Sequence, residues 1–198
     1  MKKEIIREIK EHIPFTFFAT LSAIILTAII FFGMKIQNLQ STFEVIHPIH
    51  LFVSAIVTAG IYYKYKNNFI EALGIGIIGS ILIGSLSDII LPYLGGNLLS
   101  LNTNFHLPIL EIPFVIIITA IIGSIVGIKT GITHFPHFFH VFLSVFASLF
   151  YLIAFSSTLS LTYLAISTII IFIAVLIPCC ISDIIFPLIF VKGKCCKK

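Results

Sequence analysis

The chain has 198 residues, 59% of them hydrophobic and only 10% charged, with a formal net charge of +4. Soluble domains carry about 25% charged residues; this composition, with a mean hydropathy of +1.15, excludes a single water-soluble core. The basic residues stand at the ends of apolar runs rather than in one patch, which argues against nucleic acid as a partner.

Residues 1–12 are basic and partly amphipathic, as in a helix lying on the inner membrane surface, and they include Glu11 and His12. A bilayer-crossing helix needs roughly 20 apolar residues, and the first such run covers 14–33. It is too long for a secretory leader and is expected to stay attached. Span two, 47–63, opens on His47-Pro48-Ile49-His50. Span three, 69–92, carries Gly76, Ser80, Gly84 and Asp88 four residues apart, a small face suited to close helix packing. Tyr93-Leu94-Gly95-Gly96-Asn97 reads as a turn. His106 and Glu111 stand near the start of span four, 109–128, which contains Gly123-x-x-x-Gly127. Span five, 136–155, opens beside His137 and His140, and span six covers 161–187 with Asp183 near its end. Pro14, Pro48, Pro113 and Pro136 are placed at or near span starts, where a missing N–H costs least. The tail 192–198 is basic and suits anionic lipid. Cys179–Cys180 and Cys195–Cys196 are adjacent pairs, which rarely bridge, so a disulfide framework is not expected.

The expected fold is therefore all-α: one membrane domain, 1–198, with six transmembrane helices. With the N-terminus inside, Lys35 is the only one of the 12 lysines and arginines left outside. That bias predicts a cell-membrane protein with both termini cytoplasmic.

Two polar motifs occur twice. His47-x-x-His50-x-Phe52-x-Ser54 matches His137-x-x-His140-x-Phe142-x-Ser144, and Ser87-Asp88-Ile89-Ile90-x-Pro92 matches Ser182-Asp183-Ile184-Ile185-x-Pro187. A fainter match joins Glu11-His12-Ile13-Pro14-Phe15 to Glu111-Ile112-Pro113-Phe114. The order is the same in 14–97 and 106–191. Each half has three spans, an odd number, so the second copy must insert upside down, the inverted-repeat plan of many secondary transporters. Glu11-His12-Ile13-Pro14 resembles the H-x-I-P pieces of zinc-iron permeases. It lies at a terminus and lacks the glutamate that follows the proline there, so no function is carried across.

His47, His50 and Ser54 share one helix face, as do His137, His140 and Ser144. Motif positions at span ends predict two clusters. One, at the outer face, gathers His47, His50, Asp88, His106 and Glu111, with Glu44 near enough in sequence to join. The other, at the inner face, gathers His137, His140, Asp183, Glu11 and His12. Imidazole with carboxylate is the donor set of zinc, iron and manganese, and ionisable groups in spans are expensive enough to imply a use. The leading expectation is a small transporter of a divalent metal cation, for which six spans are few and a homodimer is plausible. Two alternatives stand beside it. One is a membrane-embedded, metal-dependent lipid hydrolase with Glu111 or Glu11 as base. The other is a structural or accessory subunit whose His and Asp groups only lock the bundle.

Overall fold

In a computed structural model, residues 2–33, 38–132, 134–156, Ile171, Val175 and 185–191 are described, and among them the chain is helical with no strand. The elements are α1 (Lys2–Gly33), α2 (Leu39–Lys66), α3 (Phe69–Ser85), a π-helical turn (Leu86–Ile90), α4 (Leu91–Leu98), α5 (Pro108–Glu111), α6 (Pro113–Thr130), α7 (His134–Phe155) and α8 (Phe186–Ile189).

Among the described residues four helical stretches are long and apolar enough to cross a membrane: Leu39–Lys66, Phe69–Leu98, Pro113–Thr130 and Pro136–Phe155. Within α1 a shorter apolar stretch covers Phe17–Ile30. Polarity is distributed as in a membrane protein. Phe17, Phe18, Ile70, Leu82, Phe114 and Ile118 are exposed, whereas Thr20, His50, Ser54, Asp88, His140 and Ser144 are buried. Backbone polar groups satisfied inside each helix leave apolar side chains to meet lipid. The expected sixth span, 161–187, lies largely outside the described residues.

The glycines set the distance between helices. A Cβ on Gly127 would strike the carbonyl oxygen of Ile56, and one on Gly123 would strike that of Phe52. Thus α6 lies against the backbone of α2, running parallel to it, as small-x-x-x-small packing allows. Gly84 faces Leu51 while Gly79 faces Thr58 and Gly76 faces Ala59 and Ser124, so α3 runs antiparallel to α2. Phe43 packs on Tyr151 and Phe155 while His50 packs on His140, so α7 is antiparallel to α2 as well. The α2–α3 reversal is tight. Asn67 takes a left-handed conformation (φ 50°), and the Asn68 side chain accepts from the Glu71 N–H to cap α3. Lys66 Nζ pairs with Glu71 at 2.5 Å, and the Tyr62 hydroxyl donates to the same carboxylate.

Three expectations about span ends need correction. Pro48 and Pro14 lie inside α2 and α1 rather than at their starts. Tyr93-Leu94-Gly95-Gly96-Asn97 is helical, since α4 continues to Leu98. His47, His50 and Asp88 consequently lie well inside continuous helices. The polar residues Gln40-Ser41-Thr42 and Glu44 hid the true start of α2, because hydropathy marks the apolar length and not the helix.

Candidate metal centre

The site begins with a proline. In the π-helical turn the Leu91 N–H bonds to the Leu86 carbonyl, five residues back. The next donor would be residue 92, and Pro92 has no N–H to give to Ser87. Ser148 on α7 fills the gap: its Oγ lies 3.0 Å from the Ser87 carbonyl and 2.7 Å from the Ser144 carbonyl, one proton serving both. Single π turns inside α-helices often mark functional positions, and this one carries Asp88. Ser148→Ala should cost about 1 kcal/mol by leaving that buried carbonyl unsatisfied. Thermal unfolding in detergent reads this; an unchanged melting temperature would mean the carbonyl is met otherwise.

Asp88 is fully buried. Its Oδ2 lies 2.9 Å from Nδ1 of His47 and 2.5 Å from Nδ1 of His50. Its Oδ1 lies 2.9 Å from the hydroxyls of Ser87 and Ser144. Such hydrogen bonds to a charged acceptor are stronger than neutral ones. An ionised carboxylate only accepts, so both Nδ1 atoms donate. Each neutral imidazole then turns its Nε2 lone pair away from Asp88. The Nε2 of His50 is buried with no hydrogen-bond partner, and the His50 ring packs on His140 with centroids 4.6 Å apart. His137 stacks on His140 at 6.1 Å, nearly coplanar in tilt at 6°. All four histidines are buried.

His47, His50 and Asp88 form a group that could hold a metal ion, their donor atoms within 4.8 Å of one another. Two donors on one zinc, each at 2.0–2.2 Å, stand roughly 3.3 Å apart. The Asp88–His separations are shorter, in the hydrogen-bond range. Asp88 thus has the place an outer carboxylate would take in a carboxylate–histidine–metal relay, with the unpartnered Nε2 of His50 the donor that could meet a cation.

A second group of this kind is Glu44, His106 and Glu111. His106 Nδ1 lies 2.9 Å from Glu111 Oε1, and its Nε2 lies 3.7 Å from Glu44 Oε1. The His106 ring stacks on Phe155 at 4.5 Å, and the His106 backbone N–H donates to the Tyr151 hydroxyl at 3.2 Å, which itself donates to the Asn104 carbonyl.

The expected grouping changes in two ways. His106 and Glu111 do not join His47, His50 and Asp88; Phe43, fully buried, stands between, stacked on His47 at 5.6 Å and edge-on to His106 at 6.2 Å. His137 and His140 do not stand far from the first motif, because His140 packs on His50 and His137 stacks on His140 where α2 and α7 cross. The reason is the depth of both motifs: antiparallel helices bring their middles together, whereas ends would be kept apart. Asp183 lies outside the described residues, and of Glu11 and His12 only the backbone is described. Phe43, Ser148 and Tyr151 carried no sequence signal, since their roles depend on which helices touch. Comparison with protein families, with curated proteins and with solved structures finds no match.

Proposed function

We infer that the chain is a small transporter of a divalent metal cation, inserted as two inverted three-helix repeats with six spans and both termini cytoplasmic. The observation that carries this reading is the buried carboxylate Asp88 orienting two imidazoles by their Nδ1 atoms, with His50 Nε2 unsatisfied beside the repeat-related His140. A buried polar atom without a partner costs free energy; a cation that several such donors meet at once offsets it.

Several features favour the repeat. α1 packs on α7 as α6 packs on α2, and the π turn meets α7 as α8 meets α2. Buried hydroxyls continue the histidine register at Thr58 and Ser148. The π geometry that closes on Ile90 before Leu91 recurs at its counterpart, Ile185, before α8. Lys64, Lys66 and Lys129 close the parallel helices α2 and α6, consistent with one basic, cytoplasmic face. Inverted-repeat transporters bind cargo near the midplane, at the repeat interface, and rocking of the halves exposes it to either side. The crossing of α2 and α7 has that character. Nitrogen and oxygen donors suit zinc, manganese and ferrous iron alike. The lipid-hydrolase alternative draws less support, because Glu111, an expected base, pairs with His106 and is separated by Phe43 from His47 and His50.

The test is cation flux into proteoliposomes carrying an internal metal-sensitive dye, with zinc and manganese as probes. Wild-type protein should move at least one of them, and His50→Ala should reduce the rate tenfold or more, as lost ligands commonly do. Equal flux in wild type and His50→Ala, or none in a folded wild type, would refute the transporter.

A further inference from the structure

The second His/Glu group repeats the chemistry of the first in a different setting. His106 is 7% exposed, while Glu44 and Glu111 are 36% and 54% exposed. Glu111 accepts from His106 Nδ1, as Asp88 does from His50, and so directs Nε2 as a lone pair. That Nε2 is buried and has no hydrogen-bond partner. The nearest carboxylate oxygen, Glu44 Oε1, stands 3.7 Å away, too far for a hydrogen bond but a fitting span for two donors on one ion. Gln40 Nε2 donates to Glu44 Oε1 at 3.1 Å and steadies it.

Position adds a direction. Glu44 and His47 are three residues apart on α2 and so share a face. Phe43 fills the space between the two imidazole groups, touching a ring of each. We propose that Glu44 and His106, with Glu111 as the orienting carboxylate, form a separate water-facing capture site for a divalent cation, and that Phe43 is the plug between it and the buried His47/His50 centre. The capture site stands on its own geometry; its role as the step before the buried centre rests on the transporter reading.

Cobalt(II) and zinc titrations of the full-length protein in nanodiscs separate the two claims. Wild type should bind two equivalents. Glu44→Gln/Glu111→Gln, at a half-buried and an exposed position, should bind one and raise the KM for zinc flux about tenfold. Asp88→Asn, or His50→Gln should that variant not fold, should also bind one. If Glu44→Gln/Glu111→Gln keeps the wild-type stoichiometry, or loses every equivalent when wild type holds two, the separate capture site is overturned; a wild type that binds none overturns it too. A single wild-type equivalent lost in Glu44→Gln/Glu111→Gln but kept in Asp88→Asn would uphold the capture site and remove the buried one. Phe43→Leu should alter the flux rate without altering stoichiometry; a changed stoichiometry would contradict its role as a plug.

Discussion

Asp88→Ala is expected to abolish cation binding at the buried centre and to destabilise the protein by about 2–4 kcal/mol, since two buried imidazole donors lose their acceptor at about 1–3 kcal/mol each. The size follows from how many groups depend on this one carboxylate. His47 and His50 donate to one oxygen, and Ser87 and Ser144 to the other. Alanine leaves both imidazole donors without their acceptor, while the Ser87 hydroxyl keeps the Gly84 carbonyl and the Ser144 hydroxyl keeps Ser87 Oγ. It also frees both imidazoles to rotate, since Asp88 is what fixes their Nδ1 atoms. Asp88→Asn separates the two effects. It keeps volume and one accepting oxygen, so it should recover part of the stability while still failing to orient both rings. Chemical or thermal unfolding in detergent, beside zinc titration, measures both quantities. A stable Asp88→Ala protein that binds zinc as wild type does would show that the carboxylate is no hub.

Gly127→Leu should be the most damaging change away from the histidines. Even a methyl group at this position would collide with the Ile56 carbonyl, and backbone cannot step aside as a side-chain tip can. Overpacking typically costs about 1–3 kcal/mol and sometimes more; here it forces α6 off α2, the helix that carries His47 and His50. Gly74→Ala is the internal control. Nothing lies within 4 Å of a Cβ there, so it should be neutral or gain up to about 1 kcal/mol from helix propensity. Comparable melting temperatures for Gly127→Leu and wild type would mean that α2 and α6 are not in backbone contact.

What could be read from the letters followed the physics of each signal. Apolar length marked four spans that recur as helices, because the bilayer sets that length. The spacing of His47, His50 and Ser54 marked one helix face, and that face is buried. Motif depth was not legible: the polar residues before His47 look like a loop in a hydropathy scan, yet they form the first turns of α2. For the same reason Pro92, Gly95 and Gly96 look like a break, although a π turn and a hydroxyl from α7 let the helix continue through them. Meeting of His50 with His140 depends on a crossing between antiparallel helices, which no local pattern encodes. Phe43 and Tyr151 were invisible because an aromatic residue in an apolar helix resembles every other one.

Zinc K-edge X-ray absorption on the Glu44→Gln/Glu111→Gln protein in nanodiscs bears most directly on the buried centre, since that variant lacks both carboxylates of the capture site. The expected spectrum has a first shell of nitrogen near 2.0 Å with the outer-shell scattering of at least two imidazoles, lost in His50→Ala/His140→Ala. A zinc shell without imidazole scattering, or protein that retains no zinc, would contradict the claim that these histidines form a cation site.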